Sequence, residues 1–217
     1  MPKDTQEITP QILLYAYSVG VFPMSYGGPD DELFWVDPQM RGVFPLDRFH
    51  ISRSLAREIR KERYDIRINT AFSAVVQGCA ERDETWINDE IFDLYLALFE
   101  GGFAHSLEVW EGEELVGGVY GVSLGAAFFG ESMFSRRTNA SKIALAYLVD
   151  RLRAGGFTLF DTQFITPHLA SLGAEEITRD EYHKQLNNAL KRKAHFLIQP
   201  LSDASSSGIL QRNTQTS

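Results

Sequence analysis

The spacing of apolar and polar residues changes several times along the chain, and each change predicts an element. Residues 11–19 place apolar side chains at helical spacing between Thr9-Pro10 and Gly20. This predicts a short helix, since threonine caps, proline suits the first turn and glycine tolerates the left-handed stop. Residues 25–46 set Gly27, Gly28, Pro29, Pro38, Gly42 and Pro45 among aromatic residues, a pattern of irregular packed loops. A short basic helix is predicted over 52–63. Ile66 and Ile68 alternate with polar neighbours as in a strand. Phe72, Val75, Val76 and Cys79 recur at helical spacing, as do Ile91, Tyr95, Leu98 and Phe99 between a cap at Asn88 and a stop at Gly101-Gly102. Residues 103–110, 115–124 and 126–134 are β-like runs separated by turns, which predicts a three-stranded antiparallel meander. Residues 140–152 are apolar nearly all round, as in a deeply packed central helix ending at Gly155-Gly156. A strand over 157–161, a helical turn over 168–172, an amphipathic helix over 180–192 and a last apolar strand over 196–198 complete the pattern.

This order is an α+β layout without internal repeats. It predicts a small N-terminal domain over 1–63, a larger domain over 64–198 with a mixed, largely antiparallel sheet, and a Ser/Thr/Gln-rich tail over 199–217 too polar to fold. The order of the larger domain matches, by analogy, the acyltransferase fold of the GNAT superfamily, in which the last meander strand and the following helix bracket the acyl site. Fold analogy gives no chemistry.

Composition narrows the classes. The chain has 217 residues, 44% hydrophobic and 23% charged, enough for one globular unit with a sizeable core. No run approaches the roughly 20 uninterrupted apolar residues of a membrane helix, and the first residues lack the basic and apolar segments of a secretory signal. The single cysteine, Cys79, excludes an internal disulfide framework and a cysteine-rich zinc site, and the five histidines have no metal-ligand spacing. A cytoplasmic protein without a metal is expected. The net charge of -8 opposes nucleic acid as a partner, yet residues 47–67 hold seven Lys/Arg against four Asp/Glu, a local +3. Arg53, Arg57 and Arg60 on the second helix are thus either a footprint for RNA phosphates or a solvated face.

Three segments invite chemistry. Residues 135–142, where a coenzyme A enzyme of the GNAT type carries a glycine-rich phosphate loop, contain no glycine, which disfavours that donor although Arg136 and Arg137 could meet phosphate. Gly130-Glu131-Ser132 resembles a nucleophile elbow, with Asp161 and His168 following in hydrolase order, but the second glycine is missing. Glu131 shares a face with Phe129 and Met133 by strict alternation, so its carboxylate must find a donor, a cation or a proton, in a structural pair or at a site. Asp161 and Gln163 lie on one face where the strand from 157 ends, either a plain strand-end turn or a carboxylate and an amide set to hold an incoming amine.

Leu14-Tyr15-Ala16-Tyr17-Ser18-Val19-Gly20-Val21-Phe22-Pro23-Met24, Arg41-Gly42-Val43-Phe44-Pro45-Leu46, Thr85-Trp86-Ile87, Gly130-Glu131-Ser132-Met133-Phe134-Ser135, Asp161-Thr162-Gln163 and His168-Leu169-Ala170-Ser171-Leu172-Gly173-Ala174 follow one another in order. Together they resemble the leucyl/phenylalanyl-tRNA–protein transferases, over about residues 10–183. The resemblance implies transfer of leucine or phenylalanine from aminoacyl-tRNA to proteins with N-terminal Arg or Lys, marking them for degradation, on a small N-terminal domain followed by a GNAT-like domain. It implies that Asp161 and Gln163 handle the amine, that Glu131 lines the acceptor or aminoacyl site, and that Trp86 and Met133 seat the terminal adenosine and the aminoacyl side chain. Leu145, Leu148 and Phe160 are expected to complete the aminoacyl pocket with Met133. An already activated ester needs no cofactor. Met24 stands where many relatives carry tryptophan, and the chain starts close to the first shared helix, so the extension of longer relatives is expected to be absent. The alternatives are a non-catalytic RNA-binding module and a coenzyme A-dependent N-acyltransferase.

Overall fold

A computed structural model describes residues 8–24, 34–81, 85, 87–198 and 209–211. In chain order the elements are α1 (Pro10–Ser18), β1 (Phe22–Met24), β2 (Phe34–Val36), β3 (Met40–Val43), α2 (Arg53–Arg60), β4 (Asp65–Ile68), α3 (Phe72–Ala80) and α4 (Asp89–Glu100). There follow β5 (Ala104–Glu111), β6 (Glu114–Leu124), β7 (Ala127–Ser135), α5 (Ala140–Ala154), β8 (Leu159–Gln163), α6 (Pro167–Ser171), β9 (Glu175–Thr178) and α7 (Arg179–Leu190). The predicted α+β class and the central meander are present. Helix starts follow local chemistry: the side chains of Thr9, Ser52, Asn88, Thr166 and Thr178 each accept a backbone N–H of the first turn.

Seven strands form one sheet in the order β4-β5-β6-β7-β8-β3-β9, and β1 and β2 pair separately. All neighbours in the large sheet are antiparallel except β7 and β8, which are parallel and joined through α5. One apolar layer, with Tyr17, Val75, Tyr95 and Phe129, packs on one face under α1, α3, α4 and α7. The other, with Phe44, Phe128, Leu148 and Phe160, packs on the opposite face under α5 and α2.

Two irregularities create the site. β7 and β8 pair only from Ala127↔Leu159 to Phe129↔Asp161, although β7 runs on to Ser135, so the two strands part and leave a wedge. Within β7 the register to β6 shifts, with Gly130 opposite Gly121 and Ser132 opposite Tyr120, so Glu131 is the extra residue of a β-bulge. The bulge overturns the expected shared face of Glu131 and Met133. Glu131 reaches Tyr17 and Tyr95 in one layer, while Met133 packs on the other.

The sequence reading differs from the fold elsewhere too. β3 and β9 were not predicted, and residues 40–43 lie between β8 and β9 rather than in loops. Four-residue strands flanked by Pro and Gly leave almost no periodic signal. Residues 40–63, placed with the N-terminal unit, supply β3 to the main sheet and pack α2 on α5. Residues 196–198 form no strand; Phe196 is instead buried, its ring stacked at 4.2 Å from His105 and 5.4 Å from Phe128. Within the tail expected to be unfolded, residues 209–211 form a helical turn with Ile209 and Leu210 buried, and the rest of the tail lies outside the described residues.

Candidate active site

The wedge between β7 and β8 opens into a cavity of about 270 Å³. Val119 of β6, Met133 of β7, Leu145 of α5 and Phe160 of β8 form an apolar wall, and Phe22, Pro23 and Met24 of β1 face it from the N-terminal segment. The polar wall is Glu131, Ser132, Thr162, Gln163 and Thr166.

Gln163 ends β8 in the left-handed region, at φ 57°. That conformation breaks the two-residue alternation, and it corrects the expectation that Asp161 and Gln163 point the same way. Gln163 lines the cavity and Asp161 does not. The Asp161 carboxylate is fully buried and accepts two hydrogen bonds from Arg41, Nε to Oδ1 at 2.9 Å and Nη2 to Oδ2 at 2.6 Å. It also accepts Tyr182 Oη at 2.7 Å and the backbone N–H of Gln163 at 2.8 Å. Arg41, 1% exposed, lies between the rings of Phe22 and Tyr182, 4.4 and 4.3 Å from their centroids, and donates to the Gly20 carbonyl. Asp161 is therefore a positioning residue. Its charge is spent on Arg41, and its bond to the Gln163 N–H holds the strained turn that turns the amide inward.

Glu131 accepts Tyr17 Oη on Oε1 and Tyr95 Oη on Oε2, both at 2.7 Å, and the two tyrosine hydroxyls are themselves 2.7 Å apart. Gln163 Nε2 donates to Glu131 Oε1 at 3.2 Å, and among the described residues no hydrogen bond reaches Gln163 Oε1, which can accept one from an N–H. Burial pushes the Glu131 carboxyl up to about 7, against the pull of the Tyr95 and Tyr17 hydrogen bonds; Asp161 raises it further and Arg41 lowers it. Desolvation and the neighbouring carboxylate likewise hold both tyrosines well above their ordinary range.

The other expected residues divide. Met133, Leu145 and Phe160 meet in the cavity, while Leu148 lies one helical turn further along α5 in the core, 1% exposed and outside the cavity wall. Trp86 falls outside the described residues. Arg53, Arg57 and Arg60 are exposed on α2, which packs on α5; none of them lines the cavity, and they make no ion pair among the described residues. Arg136 is held by Glu81 and the Leu115 carbonyl, and Arg137 by Glu111 and Glu114. Both guanidiniums of the glycine-free segment are thus already paired. No hydrogen bond joins Ser132, Asp161 and His168, so the hydrolase order does not assemble a triad. Among the described residues no cluster of His, Cys, Asp and Glu could hold a metal.

The sequence reading missed Arg41, Tyr17, Tyr95 and Tyr182. The available signal was an arginine inside the otherwise apolar run from Met40 to Phe44, since a buried guanidinium requires a carboxylate. Nothing in the sequence showed which one.

An apolar cavity of side-chain size, closed at one lip by an oriented amide and a carboxylate, has the shape and polarity to let an acyl group meet an amine, as in a transferase. The family model described as leucyl/phenylalanyl-tRNA protein transferase matches residues 43–187, and the one for its N-terminal domain matches residues 6–39. Proteins named leucyl/phenylalanyl-tRNA–protein transferase in Cereibacter sphaeroides (strain KD131) and Ruegeria sp. (strain TM1040) are each 61% identical over 97% of this chain, covering 98% and 99% of their own lengths. Among solved structures, FemX shares a TM-score of 0.47 at 13% identity over 79% of this chain and 69% of its own. The L-PGS of Bacillus licheniformis shares 0.40 at 15%, over 76% and 56%. The chain belongs to the leucyl/phenylalanyl-tRNA–protein transferase family.

Proposed function

We propose that the protein moves leucine or phenylalanine from aminoacyl-tRNA to the α-amine of proteins that begin with Arg or Lys, marking them for degradation in the cytoplasm. The observation that carries this reading is the cavity itself: an apolar end of side-chain size that opens onto Gln163 and Glu131. The aminoacyl side chain sits among Met133, Leu145 and Phe160, which puts its ester carbonyl beside Gln163. The uncharged acceptor amine, with an ordinary pKa of about 7.7–8.0, hydrogen-bonds to Gln163 Oε1, while Glu131 faces the cationic side chain of the acceptor.

The amine nitrogen attacks the ester carbon, a C–N bond forms, and the tetrahedral intermediate expels the ribose hydroxyl of the tRNA. The proton lost by nitrogen ends on that hydroxyl. Gln163 orients the amine and is too weak a base to keep its proton, so most of the rate comes from holding the two reactants together. Incubating the protein with leucyl- or phenylalanyl-tRNA and an Arg-starting peptide tests the reading: labelled amino acid should appear on the peptide N-terminus and not on an Ala-starting one. Binding of tRNA without transfer would favour a plain RNA-binding module, and transfer from acetyl-coenzyme A would favour the coenzyme A reading.

A further inference from the structure

Of the three hydroxyls in the polar wall, that of Thr166 caps α6 by accepting the Leu169 N–H. Those of Thr162 and Ser132 have no hydrogen-bond partner among the described residues, and Thr162 Oγ1 is closed off from solvent as well. A buried hydroxyl without a partner destabilises the folded protein, and valine, which has the same shape, would avoid that cost. The main chain beside it is firmly held. The Phe164 N–H donates to the Thr162 carbonyl at 2.7 Å, closing a tight turn about Gln163 at φ 57°. On the other side the 164–165 backbone presses on Gly42 of β3, where an added Cβ would come within 2.7 Å of the Phe164 carbonyl carbon. Only the side chain of Thr162 can move: a turn about χ1 exchanges its hydroxyl with its methyl group and brings the hydroxyl round to the cavity, and no hydrogen bond opposes that turn.

The order of residues along the two strands of the wedge shows what these hydroxyls meet. On β8, Thr162 stands between Phe160 of the apolar wall and Gln163; on β7, Ser132 stands between Met133 of the apolar wall and Glu131. Each strand thus sets a hydroxyl between a residue for the donor side chain and a residue for the acceptor. In the proposed reaction the group between those two is the ester carbonyl. We propose that the Thr162 and Ser132 hydroxyls donate hydrogen bonds to the ester carbonyl oxygen and stabilise its negative charge in the tetrahedral intermediate. The inference rests on the proposed function. As the amine nitrogen bonds to the carbonyl carbon, the C=O π pair moves onto oxygen, and it returns when the ribose oxygen leaves; both hydroxyls keep their protons throughout. The Gln163 amide N–H, the other donor in the wall, is already directed at Glu131.

Transfer from phenylalanyl-adenosine to an Arg-starting peptide tests the assignment in the full chain, as a single turnover at saturation and as steady-state KM values, with thermal unfolding to show that each variant is folded. Thr162→Val and Ser132→Ala should each slow the saturated turnover by about 10²-fold, while both KM values stay near those of the unaltered protein. Thr162→Ser should restore most of the rate. The unfolding midpoint of Thr162→Val should stay level or rise, since the variant removes an unpartnered hydroxyl and keeps the shape. A phosphonate in place of the ester carbonyl of phenylalanyl-adenosine, tetrahedral and anionic, should inhibit the unaltered protein more strongly than Thr162→Val by a factor similar to the loss of rate. An unchanged rate in a folded single variant overturns the role of that hydroxyl and leaves the proposed function standing. A loss that Thr162→Ser does not restore overturns it in favour of packing, and a change confined to a KM overturns it in favour of ground-state contact. Absence of transfer by the unaltered protein from both adenosine and tRNA donors overturns the inference and the proposed function together.

Discussion

Glu131 and Asp161 are two carboxylates in one site with opposite fates, decided by what faces each. Asp161 has a guanidinium, a hydroxyl and a backbone N–H; Glu131 has two neutral hydroxyls and an amide. Asp161→Asn should therefore cost stability as well as rate, about 3–5 kcal/mol, because it leaves the Arg41 charge buried and unpaired. Gln163→Ala should slow single-turnover transfer by about 10²-fold or more with little change in the unfolding midpoint. Equal midpoint losses in the two variants would contradict the division of roles. Glu131 adds a pH dependence. Its folded-state pKa of about 7 lies above the ordinary 4.5, so the native state holds a proton that the unfolded chain has lost between those values, and the associated stability is lost as pH rises through that window. Glu131→Gln should remove this loss, raising the unfolding midpoint at pH 8 more than at pH 5. In the unaltered protein the KM for an Arg-starting peptide should fall as pH rises through about 7, and in the Gln variant that component should vanish, which leaves only the fall set by the acceptor amine at about 7.7–8.0. The sequence marked Glu131, Asp161 and Gln163. It could not show which of them faces the cavity, because a bulge at 131 and a left-handed residue at 163 each reverse the alternation used to place them.

Among the elements, those with long periodic stretches were legible and those defined by their partners were not. α4, α5 and the β5–β6–β7 meander follow from spacing and turns alone. β3 and β9 are four residues each and exist as strands because β8 and one another supply their hydrogen bonds. Gly42 belongs to this second kind. Gly42→Ala should push the 164–165 backbone away from β3, and transfer should fall further than the modest cost of a methyl group on an open strand would explain. α2 carries the other element-level expectation. Phosphate binding releases counterions, so affinity falls with salt in proportion to the phosphates held. With one modest basic helix the slope should reflect about two to four contacts. Arg53→Glu with Arg57→Glu should flatten it and weaken tRNA binding while sparing transfer from phenylalanyl-adenosine, which has no phosphate for α2 to hold. Equal loss with both donors would mean that α2 supports the fold instead.

At the scale of the molecule, the pocket is shared between the two apolar layers and the N-terminal segment, so its shape is a property of the whole sheet rather than of one motif. Its apolar wall should accept Leu, Phe and Met, which are unbranched at Cβ, ahead of Ile and Val. A misplaced methyl group costs only about 1–3 kcal/mol, so competition between matched charged tRNAs should show partial discrimination. Equal use of leucine and valine would contradict the assignment of Met133, Leu145 and Phe160.

The same shared construction governs when the protein can first act. β3 is bordered by β8 and β9, with Val43 opposite Asp161 and Gly42 opposite Glu176. Both neighbours are made more than a hundred residues later. At about 5–20 residues per second of synthesis, the arm that carries β1, β3 and Arg41 waits on the order of ten seconds on the ribosome with its hydrogen bonds given to water. Until β8 emerges there is no wedge, no amide and no partner for Arg41. A nascent chain consequently cannot divert charged leucine or phenylalanine tRNA from the very ribosome that is consuming it.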